Sequence, residues 1–138
     1  MANMGLRTLK FRGYNKKRGI WLYGNYILNR GAHFIAPKEF ADGKTWEDYE
    51  VEPKTIGQFT GLTDKNDKEI YEGDIIQSES EEFVYQVVFN ETRFASFGLK
   101  REQDMFLHYF GEALEAEDCK VIGNVFDNPE LLKERGTK

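Results

Sequence analysis

The sequence predicts a mostly β protein, in which twisted antiparallel sheets form a small, partly open barrel with a short C-terminal helix. The 138 residues make a chain of a length typical of one domain. Two observations favour the β class. The aromatic share is 14%, and rigid aromatic side chains suit a pleated sheet. Short segments that alternate polar and apolar residues recur between turn-forming residues.

The N-terminal part of the chain predicts a β-hairpin. Residues 8–12 alternate polar and apolar side chains, as a strand with one solvated face does. Residues 13–19 predict a turn, and the apolar residues of 20–28 predict the second strand. Residues 29–53 contain one short apolar run, so we expect a long, partly ordered connection with room for one strand.

The remaining elements follow from the same patterns. Further strands are predicted at residues 55–60, 75–77, 83–89, 93–99 and 121–126. Residues 105–117 have the apolar spacing of a helix but are interrupted by Gly111, so helix and strand both stay open. Asn128, followed by Pro129, predicts the start of the C-terminal helix.

The apolar residues of these elements predict the core. We see no internal boundary or repeat, and therefore expect a single domain over residues 1–138. The predicted core residues are Leu9, Phe11, Trp21, Ile56, Phe59, Ile70, Ile75, Val87, Phe89, Phe97, Val121, Ile122, Val125, Leu131 and Leu132.

Cysteine content and hydropathy predict the compartment. Cys119 is the single cysteine, so the chain can form no internal disulfide. The N-terminus lacks the apolar stretch of a signal peptide, and no window approaches the ~20 apolar residues of a membrane span. We expect a cytoplasmic protein with no membrane partner.

The charge distribution bears on nucleic-acid binding. The net charge of −5 disfavours contact with a phosphate backbone, but the basic residues concentrate near the N-terminus. There they alternate with aromatic residues, as in proteins that bind single strands. If nucleic acid is the ligand, the contact residues are Lys10, Arg12, Tyr14, Lys16, Lys17 and Arg18. The alternative, which we favour, is a hairpin with an apolar core face and a charged solvated face.

The central segment predicts structural turns. Its turn motif consists of Asp64, Asn66, Asp67, Gly73 and Asp74. Asp64 and Asn66 resemble the first ligands of a calcium-binding loop, but Lys68, Glu69 and Ile75 then occupy positions that require other residues. An Asx-type turn explains Asp64, Asn66 and Asp67. A tight bend at Gly73 before a buried strand explains Gly73 and Asp74.

No catalytic, metal-binding or cofactor-binding residues are predicted. His33 and His108 lie far apart in sequence, and Cys119 cannot complete a zinc site with them at a usual spacing. The acidic residues that precede Cys119 raise its pKa, which disfavours a thiolate nucleophile. We therefore expect a protein that is not an enzyme and carries no cofactor.

Three blocks of sequence together resemble the YopX family of bacteriophage and prophage proteins. They are residues 9–12, 60–76 and 121–132, and the resemblance covers nearly the whole chain except residues 29–53. It implies a mostly β fold and a phage or prophage origin, but no mechanism. The family pattern usually has Gly at position 67, so Asp67 should take a positive φ at a cost of roughly 1 kcal/mol.

These observations leave several functional hypotheses. The first is a non-enzymatic protein-interaction module that acts on an unidentified host or phage protein. The alternative is a small nucleic-acid-binding β-barrel, and an unrecognised enzyme would need a deep polar pocket that includes His108. A homo-oligomer is also compatible with the sequence, because small β domains expose edges that pair readily.

Overall fold

The computed structural model describes residues 8–80, 83–90, 96–101, 107–110 and 115–133. The chain divides into two compact units, Met1–Gly61 (unit 1) and Leu62–Lys138 (unit 2). Strands dominate both units, and the helical turns of the described residues are all of the 3₁₀ type. The prediction of a mostly β chain is therefore confirmed. No helix in this part of the chain is long and apolar enough to cross a membrane.

Unit 1 is built on two consecutive hairpins. Its strands are β1 (Phe11–Asn15), β2 (Ile20–Asn29), β3 (Ala32–Ala36) and most of β4 (Gly57–Thr63). β1 pairs with β2 in antiparallel register, and β2 pairs in the same way with β3 across a two-residue turn. The first predicted hairpin is confirmed, although β1 begins at Phe11, three residues later than the alternation indicates.

The connection over residues 29–53 is more regular than expected. It contains β3 and a 3₁₀ helix at Trp46–Tyr49, whose start is fixed by the Asp48 carboxylate accepting the Thr45 backbone N–H at 2.9 Å. The Trp46 ring packs against the rings of Phe34 and Phe40, with both centroid distances at 5.0 Å. The contact between Phe34 and Trp46 joins residues of different elements, which explains why local patterns did not predict the regular structure of this connection.

The segment that follows this 3₁₀ helix is held by two strands. The Val51 backbone N–H donates to the His33 carbonyl, and the Glu52 N–H donates to the Tyr14 carbonyl, both at 2.9 Å. Gly13 permits this approach, because a Cβ there would lie 2.9 Å from the Val51 side chain. Residues 53–55 then form a second 3₁₀ helix before β4.

Unit 2 contains β5 (Glu69–Tyr71), β6 (Asp74–Ser78), β7 (Val84–Asn90), β8 (Ser96–Lys100) and β9 (Cys119–Asn124). Its core lies on the central strands. The buried members of this core are Ile70, Ile76, Tyr85, Val87, Leu99 and Cys119. The β7–β8 hairpin is in antiparallel register as predicted, and the residues 91–95 that connect it lie outside the described part of the chain.

The strands form open sheets, with the order β3-β2-β1-β4 in unit 1 and β8-β7-β6-β9 in unit 2, so the predicted barrel is wrong. Segments outside the strands form backbone hydrogen bonds with the edge strands β3 and β8. Val51 bonds to β3, and His108 exchanges backbone hydrogen bonds of 2.6 and 2.8 Å with Leu99 of β8. Because these edges have partners, strand pairing does not require closure.

In the C-terminal third, the predicted terminal helix is wrong, and the choice between helix and strand for residues 105–117 stays open. The expected terminal helix is a single 3₁₀ turn, Pro129–Leu132. Asn128 precedes it as predicted, but its side chain accepts the Asn124 N–H at 3.2 Å and makes no cap bond. Of residues 105–117, positions 105, 106 and 111–114 lie outside the described residues, while His108 forms a β-bridge.

The predicted core is confirmed in part. Phe59, Ile70, Ile75 and Val87 are buried, whereas Leu9 and Phe89 are 59% and 39% exposed, so their assignment to the core is wrong. The remaining predicted core residues are half-buried: Phe11, Trp21, Ile56, Phe97, Val121, Ile122, Val125, Leu131 and Leu132. Leu9 lies two residues before the first strand.

Candidate functional site

The first candidate site is the basic hairpin of unit 1, and its strand residues are engaged with aromatic rings. Arg12 is only 5% exposed, and its guanidinium lies 5.1 Å from the Trp21 ring centroid. The Tyr14 ring packs edge-on against Trp21 at 5.6 Å. The Lys10 ammonium lies 5.7 Å from the Phe59 ring centroid. Cation–π contact therefore accounts for part of the pattern that suggested nucleic-acid stacking.

The turn of this hairpin is paired with acidic residues. Lys16 Nζ lies 3.0 Å from the Glu52 carboxylate, and Lys17 Nζ lies 3.0 Å from that of Asp48. Arg18 donates to the Asp48 carbonyl oxygen at 3.3 Å. The positive charge that the sequence concentrates in this turn is thus largely compensated within unit 1.

Asn15 holds the turn and the acidic segment together. It is buried, and its Nδ2 donates to the carbonyl oxygens of Glu50 at 2.6 Å and Glu47 at 3.3 Å. Its Oδ1 accepts the backbone N–H of Arg18 at 2.6 Å. These three bonds fix where the charged side chains meet.

The same contacts shift the pKa of Asp48. The hydrogen bond from the Thr45 backbone N–H contributes most, and the hydrogen bond and charge of Lys17 add to it, so the pKa lies below its usual value of 3.8. Asp48 is therefore ionised at neutral pH and remains an ion-pair partner of the turn.

A cavity of about 340 Å³ lies between the turn and the acidic segment. It is lined by Asn15, Lys16, Lys17, Glu47, Glu50, Val51 and Glu52. Two ammonium groups face three carboxylates, and one pair of them is joined directly. This balance favours neither a strongly anionic nor a strongly cationic ligand.

The central turn motif is a second candidate site, and it lies in unit 2. Asp64 Oδ1 accepts the backbone N–H groups of Asn66 at 2.8 Å and Lys68 at 2.9 Å, while Oδ2 accepts that of Val121 at 2.8 Å. Burial alone would raise the Asp64 pKa, but these three bonds outweigh it, and the pKa is lowered. Both carboxylate oxygens thus hold the turn against β9.

The other members of the motif also determine the path of the backbone. Asp67 has φ 65° and Gly73 has φ 95°, so both occupy the region that favours glycine. Asp74 is buried, and its Oδ2 accepts the Tyr71 backbone N–H at 2.7 Å. The motif supplies turns and supports for β6, and no described group of three or more His, Cys, Asp or Glu side chains could hold a metal ion.

Cys119 is poorly suited to nucleophilic chemistry. Its side chain is fully buried, and Sγ donates to the Ala116 carbonyl oxygen at 3.1 Å. Burial, followed by the negative charges of Asp64 and Asp118, raises the pKa of Cys119 to about 12. The thiol therefore stays protonated at physiological pH.

A group of exposed apolar side chains on β2 was not predicted from the sequence. Ile20, Tyr23, Tyr26 and Leu28 are 40%, 52%, 36% and 59% exposed. A signal for this was present, because residues 20–28 carry large apolar side chains at both odd and even positions. A strand with one solvated face has fewer.

Comparisons with known proteins bear on family and fold. A family model described as YopX protein matches residues 10–133. Among solved structures, the chain is similar to a crystal structure of protein EF1440 from Enterococcus faecalis, with 22% sequence identity and a TM-score of 0.59. The match covers 93% of this chain and 100% of that one, and at this identity it concerns the fold. No curated protein matches the chain.

Proposed function

The chain belongs to the YopX family, and from this premise we propose that it is a phage- or prophage-encoded module that binds another protein and catalyses no reaction. Its partner is a host or phage protein in the cytoplasm of the host cell. The observation that carries the proposal is the exposure of four large apolar side chains on the single strand β2, of which Ile20, Tyr26 and Leu28 share one face.

Exposure of this kind favours a binding surface. Two of the four side chains are tyrosines, Tyr23 and Tyr26, and tyrosine is enriched at protein interfaces because it combines a large apolar ring with a polar tip. Isolated exposed apolar residues are ordinary, whereas Tyr26 and Leu28 lie two positions apart on one face of β2 and form a patch. Tyr23 lies on the opposite face, beside Arg12. A protein partner that covers the patch gains the hydrophobic free energy of its burial.

The candidate chemical groups support binding over catalysis. The Cys119 thiol has a pKa of about 12, far above the range of a catalytic thiolate. Lys16 and Lys17, which line the cavity of unit 1, are each paired with a carboxylate. Neither feature offers a poised nucleophile or base.

The alternative function is single-stranded nucleic-acid binding by the same unit. It is favoured by the alternation of cations and aromatic side chains along the first hairpin, since this pattern suits stacked bases. Against it stand the burial of Arg12 and the ion pairs of the hairpin turn. Both features reduce the positive charge with which this hairpin could bind the phosphates of a nucleic acid.

The test is affinity capture of the full chain from host lysate, with and without nuclease, in wild-type form and as the Lys16→Glu, Lys17→Glu double variant. We expect one protein to be captured in fixed ratio, to survive nuclease and to be retained by the variant. Loss of all captured material with nuclease would overturn the proposal in favour of nucleic acid, and its loss with the variant as well would place the contact on the hairpin turn. Capture of nothing would also overturn the proposal.

Light scattering of the purified protein separates self-association from this result. If the surface is used for pairing copies of the chain, the mass should rise with concentration and Leu28→Ser should abolish the rise. If it serves another protein, the purified chain should stay monomeric over the same concentrations.

A further inference from the structure

Five side chains of unit 1 form a surface that we call the hairpin platform: Leu9, Phe11, Tyr26, Leu28 and His33. Ring contacts place its centre on one face, because the Tyr26 ring lies 5.9 Å from that of Phe11 and 5.8 Å from that of His33. Leu28 stands directly opposite His33 in the β2–β3 register. The Lys10 carbonyl accepts the Phe59 N–H at 2.8 Å, so the pairing with β4 continues to residue 10, and alternation from Phe11 puts Leu9 on the same face.

The aromatic centre of the platform is held in place although it is exposed. The Tyr26 hydroxyl and His33 Nδ1 share a hydrogen bond of 2.7 Å, and the two rings stack with an interplanar angle of 18°. A ring fixed before binding loses little conformational freedom when a partner covers it. Leu9 and Leu28 are each 59% exposed, and they supply the apolar area at the margins.

The three strands that carry the platform contain no acidic residue. Residues 8–36, which contain β1, β2 and β3, include no Asp or Glu. Arg30 is exposed in the β2–β3 turn, two residues beyond Leu28. An acidic residue of a partner would therefore meet a cation and no repelling carboxylate from these strands.

The size of the platform limits its occupant. A stable interface between folded proteins uses roughly 20–30 residues from each side. Five side chains on and beside three strands fall well short of that number, which argues against a stable dimer formed through this surface alone. They match the few anchors with which a short peptide segment binds.

We propose that the hairpin platform binds a short segment of another protein, in which apolar or aromatic side chains lie next to an acidic residue. This inference rests on the proposed function and specifies the surface and chemistry of its partner. Leu28 and Tyr26 provide the apolar contact, and Arg30 selects the acidic residue.

A random peptide library displayed on phage, selected against the immobilised full chain, tests this directly. We expect enriched peptides that combine apolar residues with Asp or Glu. A synthetic peptide of the enriched sequence should then lose at least about tenfold in affinity for Leu28→Ser and for Leu9→Ser, as expected for anchor residues. Arg30→Glu should weaken binding, and added salt should reduce its effect.

Matched controls are available on the same unit. Ile20→Ser removes a side chain that is 40% exposed on the same strand but outside the platform, and Lys38→Glu reverses an exposed charge elsewhere. Both should bind the peptide as wild type does. Thermal unfolding of each variant verifies that the fold is intact, which the exposure of Leu9 and Leu28 leads us to expect.

The result that overturns the platform differs from the one that overturns the proposed function. If no peptide class is enriched, or if Leu28→Ser and Leu9→Ser bind the peptide as wild type does, the platform is not the binding surface. Capture of a nuclease-resistant protein partner would leave the proposed function standing in that case. Absence of any captured partner would remove the proposed function itself.

Discussion

At the residue scale, single carboxylates and glycines determine the turns of unit 2. Asp64 alone accepts three backbone N–H groups, and one of them belongs to Val121 in β9. Gly73 accepts the Val125 N–H at 2.9 Å and donates to the Val87 carbonyl at 2.8 Å. These bonds join the central and closing blocks that carry the family resemblance. The shared residues thus maintain the fold, which explains why they reveal no activity.

The first prediction concerns Asp67, which has φ 65° where the family pattern has glycine. Asp67→Gly should raise the free energy of unfolding by about 1 kcal/mol, because glycine takes this conformation without a steric cost. Asn66→Gly is the control: Asn66 does not have a positive φ, so the change should lower stability through added freedom of the unfolded chain. Urea unfolding measures both, and a lower midpoint for Asp67→Gly would contradict the prediction.

The second prediction concerns the reactivity of Cys119. With a pKa of about 12 in the folded chain, only about one thiol in 10⁴ is ionised at pH 8, against about a quarter for an ordinary thiol. Iodoacetamide should therefore alkylate the folded protein far more slowly than the same protein in urea, as followed by mass spectrometry. Equal rates in the two conditions would show that the thiol is neither buried nor suppressed.

At the element scale, the alternation of polar and apolar residues predicted the hairpins but not the segments that pack against them. The turn after Asn15 was predictable because the pattern is interrupted by Gly and charged residues over a short span. The 3₁₀ helix at Trp46–Tyr49 was not, since it depends on contacts with Phe34 and Phe40. The open sheets were missed for the same reason: the partners of β3 and β8 include irregular segments that no local pattern identifies.

The third prediction concerns Gly24, which lets β2 approach the end of β3. A Cβ at this position would lie 2.6 Å from the Ala36 carbonyl oxygen. Gly24→Ala should therefore force the hairpin apart and lower the free energy of unfolding by about 1–3 kcal/mol. The neighbouring Asn25 is exposed, so Asn25→Ala should change it by less than about 0.5 kcal/mol. Similar midpoints for the two variants would show that β2 and β3 are not so closely packed.

At the scale of the whole molecule, charge is distributed unevenly along the sequence and compensated in the fold. The basic hairpin was identified from composition, but its acidic partners, Glu52 and Asp48, lie over thirty residues away. A sequence pattern cannot place them, so the hairpin looked more available to phosphates than it is. The hairpin platform was missed because Leu9 and Phe11 were assigned to the core, and its two residues on β2 were given no role. Their exposure depends on which faces of the sheet other segments cover.

The last prediction follows from two carboxylates, one in each unit. Hydrogen bonds hold the pKa of Asp48 and of Asp64 below the usual 3.8. A carboxyl group with a lowered pKa in the folded state adds stability that is complete above its unfolded pKa and is lost as the pH falls through its folded pKa. The free energy of unfolding should therefore decrease as the pH is lowered from about 5 to 2.

The variant Asp64→Asn separates the contribution of Asp64 in unit 2 to this pH dependence from that of Asp48 in unit 1. The amide provides one acceptor oxygen in place of two, so at neutral pH the variant should lose about 1–3 kcal/mol of stability. It should also show a shallower decrease between pH 5 and 2 than wild type, because one proton-linked group is gone. Asp42→Asn makes the same charge change at an exposed position and should stay within about 0.5 kcal/mol of wild type at neutral pH. If Asp64→Asn retains the full pH dependence, the carboxylate that joins the central turn to β9 does not govern acid stability.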